Sequence, residues 1–326
     1  MFRKFFGSIA AFTLTLFILT AGAALPLQAQ TESAQSQTPL INHNTWTTGT
    51  VMPNARMGAA AGAIGTNIYV IGGFNNSDIS GINQIYSTQK NTWTTGTPDP
   101  NPRSWPAYAV VNKVLYVFGG SNGSAFLTLT ESYNPATKTW TTLAPMPTAR
   151  QGASAVVDKG IIYVIGGEEF SGPFLTTVES YNTASNTWTE EAPLSVGKGW
   201  VAVGLLGTTV VAADGGNTSS VLGDNEGYNP TKNTWAALKA DPTPRVTGCY
   251  GVISGRLYVA GGDNGSSLLT LNEAYSPTTK SWTTLAPMPN GVWFAAASAV
   301  TGGRLYCFGG GHYQQTVYNY VQVYQP

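Results

Sequence analysis

Short apolar runs broken by turn residues cover most of this chain. "GASAVV" at 152–157 and "IIYVI" at 161–165 hold small, β-branched and aromatic residues over five or six positions. Bounded by Gly, Asn, Pro and Thr clusters, runs of this length predict strands rather than helices. Their order recurs. A run of small apolar residues leads to a Tyr-containing run that ends in Gly-Gly. A polar loop, an "ESYN" run, a turn such as "PATK" and a Trp run follow. The pattern predicts four strands in each stretch of about 47 residues.

Three registers share that period. Trp46, Trp93, Trp140, Trp188, Trp235 and Trp282 recur at intervals of 47, 47, 48, 47 and 47 residues. Glycine pairs begin at Gly72, Gly119, Gly166, Gly215, Gly261 and Gly309. Tyrosines stand at Tyr86, Tyr133, Tyr181, Tyr228, Tyr275 and Tyr324. Four antiparallel strands make one blade, and a blade buries its faces only against neighbouring blades. The last repeat stops just after Tyr324 without a Trp run, while an unpaired Trp run surrounds Trp46. The expectation is an all-β, six-bladed β-propeller of four-stranded antiparallel blades over 44–326. The N-terminal strand completes the last blade and removes the open edge.

The Gly-Gly pair, the later Tyr and the Trp, at this spacing, resemble Kelch repeats. The resemblance covers 44–326 in six copies. It implies a propeller in which the starts of the innermost strands and the loops after Gly-Gly share one rim of a central channel. In Kelch-like propellers that rim takes ligands or partner peptides.

Composition adds constraints. Only 10 % of the 326 residues are charged, against roughly 25 % in ordinary globular domains. Sixteen Lys and Arg balance sixteen Asp and Glu. A net charge of zero gives no reason to expect nucleic acid or an anionic membrane as partner. At the start, Arg3 and Lys4 precede the apolar run "FFGSIAAFTLTLFILTAGAAL", and "PLQAQ" follows. This predicts a signal peptide over 1–29 with cleavage at Ala29. The alternative is an uncleaved anchor, since the run is long enough to span. Residues 30–43 are polar and aperiodic, which predicts a disordered leader. The mature chain is then secreted or periplasmic, without stable membrane insertion after cleavage. Cys249 and Cys307 sit in apolar strand-like runs of neighbouring repeats. They read as separate buried thiols, although export permits a disulfide.

The candidate site comes from cations and displaced tryptophans. Arg56, Arg103, Arg150, Lys198 and Arg245 stand 16 or 17 residues before their glycine pairs, just after the loop between blades. The sixth repeat reads "NGVWF" there instead. Either each cation anchors a loop, or the ring faces a ligand. Trp105, Trp200 and Trp293 lie outside the Trp register, at or just after the cation position. They read equally as a binding surface or as filling of the channel mouth. Opposing loops supply Glu168, Glu169 and Phe170, with Asn76, Asn122, Asn217, Asp263, Asn264, His312 and Tyr313. This mixture suits a glycan or a short acidic peptide. Glu131, Glu179, Glu226 and Glu273 each precede a register Tyr by two. They read as solvated or hydrogen-bonded strand carboxylates.

Catalytic motifs are scarce. His43 and His312 are the only histidines, so no metal or other cofactor is expected. Some secreted copper-radical sugar oxidases resemble Kelch propellers, but they need two histidines beside a Tyr–Cys pair. "GxSxG" is missing. Glu168 and Glu169 are adjacent and would point oppositely in a strand, a poor pair for glycoside hydrolysis. A six-bladed Kelch-like family of secreted sugar-acid mutarotases is the nearer analogy. It implies a Glu and an Arg at the channel, and Arg150 with Glu168 or Glu169 offers that composition. The expectation is an exported, monomeric propeller that binds a protein surface or a glycan through one channel rim. The alternative is a carbohydrate-active enzyme such as a sugar-acid mutarotase or epimerase.

Overall fold

The computed structural model describes residues 43–75, 77–246, 248–293, 297–312 and 316–326. The expected signal peptide, the leader up to residue 42, Asn76, Phe294 and Tyr313 lie outside the described residues. Blade 1 places Ala60–Ile64 innermost, then Asn67–Ile71, Asn83–Ser87 and Thr92–Gly96 outward. Blades 2 to 5 repeat this order over 107–142, 154–191, 202–237 and 249–285. Blade 6 takes Ala297–Thr301, Arg304–Phe308 and Val321–Gln325, and its outer strand is Thr45–Thr48. Trp46 stands opposite Tyr324 there, in the register that sets Trp93 opposite Tyr86 in blade 1. The ring therefore closes with the N-terminal strand, as the unpaired Trp run predicts.

Antiparallel order gives the propeller two ends. Loops after Gly-Gly and loops between blades gather at one end, the mouth. The tight turns joining first to second and third to fourth strands gather at the other, the base.

Neighbouring blades are held by apolar faces and by a repeated polar latch. Ile68, Val70 and Tyr86 of blade 1 pack with Tyr306, Phe308 and Val323 of blade 6. Every register Trp donates its indole N–H to a carbonyl just beyond the preceding blade's outer strand. Trp93 reaches Thr50 at 2.8 Å, Trp188 reaches Ala144 at 2.9 Å and Trp235 reaches Ala192 at 2.7 Å. Losing one such indole costs about 3–5 kcal/mol. The Asn of the "NTW" phrase is the second half of the latch. Asn91 Oδ1 accepts from the Tyr86 hydroxyl at 2.6 Å and from Thr50 N at 2.7 Å. Asn44, Asn186 and Asn233 do the same with their own blade's Tyr and the neighbouring blade's backbone. All four hold φ between 50 and 57°, a region Asn tolerates better than most residues.

Two readings of the sequence are corrected. Cys249 and Cys307 are bonded to each other, with Cα atoms 5.8 Å apart. One lies on the innermost strand of blade 5 and the other on the second strand of blade 6, so separate repeats become adjacent surfaces. Closing a 58-residue separation restricts the unfolded chain by about 4 kcal/mol. The second correction concerns register in blade 4. Gly72 N donates to Ile82 O and Gly73 N to Arg103 O. In blade 4 the same two bonds come from Asp214, to Asp224 O, and from Gly215, to Arg245 O. The structural pair is Asp214–Gly215, and Lys198 then precedes it by 16 residues like every other cation. Asp214 holds φ at 62°, a conformation Asp tolerates at modest cost.

Candidate functional site

The five cations lie just under the mouth, buried to 1 % exposure or less. Four of them meet the recurring glutamates of the third strands. Arg103 pairs with Glu131 and with Asp99, the latter at 3.1 Å. Arg150 pairs with Glu179 at 2.5 Å, and Arg245 pairs with Glu273 and Asp241. Lys198 pairs with Asp224 at 2.5 Å and Glu226 at 3.5 Å. The guanidinium groups also donate to loop carbonyls. Arg150 reaches Gly166 O at 3.2 Å and Thr177 O at 3.1 Å. A planar fork with five donors suits such a crowded acceptor set, which a point charge does not. Arg150 and Arg245 thus join the inter-blade loop to the Gly-Gly end and the third strand of their own blades.

Blades 1, 4 and 6 depart from this scheme. Blade 1 keeps Arg56 but has Gln84 in place of the glutamate. Arg56 donates to Asn54 O and Gly72 O, and desolvation lowers its pKa to about 10. Blade 6 has Val292 and Gln322, with no charge at either place. Gln322 clasps the Asn290 backbone, accepting from N at 2.8 Å and donating to O at 3.1 Å. In blade 4, Asp214 is 1 % exposed and lies 4.0 Å from Arg245. Burial first, then the Asp241 carboxylate, raise its pKa well above the ordinary value, against Arg245 and Lys198.

The mouth itself is lined by positions one and two residues beyond the cations. Two residues on stand Gly58, Trp105, Gly152 and Trp200 in blades 1 to 4. They form a belt of backbone bonds, Trp105 N to Gly58 O at 2.7 Å, Gly152 N to Trp105 O at 3.0 Å and Trp200 N to Gly152 O at 2.7 Å. Trp105 and Trp200 carry φ of 52 and 54°, which bulky residues rarely adopt and which costs about 1–3 kcal/mol each. Each indole lies over the preceding blade's glycine. Both are half-buried, and so is Trp293 one position earlier in its own repeat. Phe74 and Phe174 stand 6.2 and 5.5 Å from the Trp105 and Trp200 rings.

One cleft of about 460 Å³ opens at this end. Trp200 and Trp293 line it with Asn217, Asn264 and Asp263. Asp263 is 1 % exposed. Its Oδ1 accepts from Gly265 N at 2.7 Å, while Oδ2 makes no hydrogen bond within the protein. The equivalent place in blade 3 is Glu168, whose carboxylate accepts from Gln151 Nε2 at 2.6 Å. In blade 4 it is Gly216. Asn75, Asn122, Asn217 and Asn264 each accept two backbone N–H groups within their own loops. Loop 3 has Glu169 instead, is one residue longer, and presents Phe170 at 61 % exposure.

Below the mouth the channel is closed at its waist. Tyr108 of blade 2 bonds through its hydroxyl to the Ser298 backbone of blade 6, at 3.1 Å from N and 3.3 Å to O. Tyr250 of blade 5 reaches toward Ser154 of blade 3, and burial with the neighbouring Tyr108 pushes its pKa up. The other blades have Ala61, Ala155, Val203 and Ser298 here, small enough to leave room for both rings. A vestibule of about 240 Å³, lined by Tyr108, Tyr250 and Ser298 with small residues, remains on the base side.

The candidate set thus divides. Arg56, Arg103, Arg150, Lys198 and Arg245 form a buried ion-pair layer. Trp105, Trp200, Trp293, Glu168 and Glu169 lie at the mouth, and the His312 backbone pairs with Thr316 beside it. Arg150 is committed to Glu179, so it does not join Glu168 as an open Arg–Glu pair. Asp263, named only as a loop polar residue, is the carboxylate in the cleft. Among the described residues, no group of three His, Cys, Asp or Glu is placed to hold a metal ion.

Comparison with known proteins decides the architecture. A model for the KLHDC2/KLHL20/DRC7 Kelch-repeats domain matches residues 40–198, and the Kelch motif matches 244–289. The propeller is of the Kelch type. The solved structure of YjhT superposes with a TM-score of 0.72 at 18 % identity, covering 82 % of this chain and 94 % of that one. At that identity the likeness shows the fold alone. No curated protein sequence matches significantly. A six-bladed Kelch-type propeller is consistent with a binding scaffold or a carbohydrate-processing enzyme.

Proposed function

We propose that this propeller handles a neutral carbohydrate in the Trp200–Trp293 cleft, and that processing of the sugar is its use rather than display of a protein-binding surface. The cleft carries the reading. Indole faces suit the apolar face of a pyranose, Asn217 and Asn264 flank it, and Asp263 stands buried at the cleft wall with Oδ2 making no hydrogen bond within the protein. Turned into the cleft by a bound sugar, that oxygen takes the proton of the anomeric hydroxyl as the bond from the anomeric carbon to the ring oxygen breaks and water protonates the ring oxygen. Phe170, Val51 and Val196 are the large apolar side chains described as exposed, too few and too scattered for a broad protein-binding rim. The buried cations argue against the sugar-acid version, since the residues lining the cleft include no cation to meet a sugar carboxylate. Work outside the cytoplasm, after loss of residues 1–29, belongs to the same proposal.

Calorimetry with neutral aldoses and sugar acids, together with exchange NMR of their anomers, tests it. Neutral aldoses should bind more tightly, and the protein should speed anomer exchange. Trp200→Ala should weaken binding, and Asp263→Asn should abolish the acceleration while leaving the fold intact. Preference for sugar acids overturns the neutral-sugar reading. Binding without acceleration leaves recognition but removes processing.

A further inference from the structure

Zero net charge conceals a strict segregation of charge between the two ends. The nine cations of 44–326 outside the buried layer are almost all at the base. Lys113, Lys159, Arg256 and Arg304 sit at turns between first and second strands. Lys90, Lys138, Lys232 and Lys280 sit at turns between third and fourth strands. The ninth, Lys239, follows the outer strand of blade 4. All eight basal cations are exposed, and none forms an ion pair among the described residues. Asp158 is the acid at these turns. The mouth is the reverse. Its Gly-Gly loops carry Asp78, Glu168, Glu169, Asp224 and Asp263, with no Lys or Arg.

We propose that the base docks on a membrane surface bearing anionic headgroups. The turns end at one level because the blades run side by side, so their cations form an inner and an outer quartet across one face. A flat array meets a flat charged surface with every member at once. A single strand of nucleic acid needs a groove and stacking faces, and the basal turns contain no aromatic residue. None of the exposed large apolar residues, Val51, Phe170 and Val196, lies at the base. Among the described residues no helix is long and apolar enough to cross a membrane. Attachment through these cations is electrostatic and peripheral. It turns the mouth and its cleft away from the lipid, and the chain enters the ring at this same face, at Asn44.

Residues 42–326 contain the whole core and their own closing strand, so this propeller can be tested without the apolar N-terminal run. Co-sedimentation with phosphatidylcholine vesicles, with and without phosphatidylglycerol, reads the effect. Wild type should sediment only with the anionic vesicles at low salt. It should be released at about 1 M salt, where the Debye length falls to about 3 Å. Replacing the inner quartet by Gln should reduce sedimentation at least about tenfold, from the roughly additive attraction of juxtamembrane Lys and Arg. Unchanged circular dichroism and melting confirm that the variant folds. Glu169→Gln at the mouth should change nothing. Equal binding to both vesicle types, or no loss in the quartet variant, overturns the proposal. Retention on DNA or an anionic polysaccharide without vesicle binding also overturns it, and assigns the face to a polymer.

Discussion

Blades 3 and 6 solve the same packing problem with opposite chemistry. Blade 3 buries Arg150 against Glu179, and Glu179 also accepts from Thr148 at 2.7 Å. Blade 6 buries Val292 and lets Gln322 hold the Asn290 backbone. Both hold the inter-blade loop to the third strand. The ring therefore does not require the ion pair at any one place. In blade 6 the two positions change together, because a buried charge without its partner is costly whereas a neutral pair is not. Blade 1 is the intermediate case, with the cation kept and the acid replaced. That lone guanidinium is the one whose pKa burial lowers to about 10.

The comparison can be broken most strongly inside blade 3. Glu179→Gln alone should cost about 3–5 kcal/mol in urea unfolding, because it leaves Arg150 buried and uncompensated. Arg150→Val with Glu179→Gln reproduces blade 6 and should cost less than either single change. Additive losses would show that blade 6 depends on something beyond this pair. A second test lies in blade 4. Asp214 has a raised folded pKa, so above the unfolded value of 3.8 the native state holds the extra proton. Stability from this group is present at low pH and is lost as pH rises toward the folded pKa. The slope is at most about 1.4 kcal/mol per pH unit. Asp214→Gly restores the residue of the other blades and should remove that slope. An unchanged pH profile would mean that Asp214 folds ionised. The smallest effect belongs to blade 1. Gln84→Glu supplies the missing partner to Arg56 and should add about 1 kcal/mol. A loss of stability instead would mean that desolvating the new carboxylate outweighs the pairing.

The fold was legible because its determinants repeat. Trp93, Tyr86 and Gly72 recur at one spacing, and the orphan Trp46 reveals the closure. The Asn of "NTW" was equally visible, but a latch between blades needs the register of two blades, which periodicity does not supply. The cation ring was legible as a ring and not as an ion-pair layer. Arg150 and Glu179 lie 29 residues apart in sequence, on elements that meet only once the blade is formed. One signal was available: the repeat lacking the cation also lacks the glutamate, with Val292 beside Gln322. The disulfide was missed for the same reason, since Cys249 and Cys307 occupy different strands of different repeats. Asp263 had no motif at all. Its place in the proposal comes from one buried oxygen without a hydrogen bond at a cleft lined by two indoles, a property of placement rather than of residue type.

The tyrosine closure at the waist sets a traffic rule. With Tyr108 and Tyr250 each reaching across two blades to a serine, the axial channel is a dead end from the mouth. Under the proposed function, substrate and product exchange through the same opening, and a long polymer cannot thread through the disc.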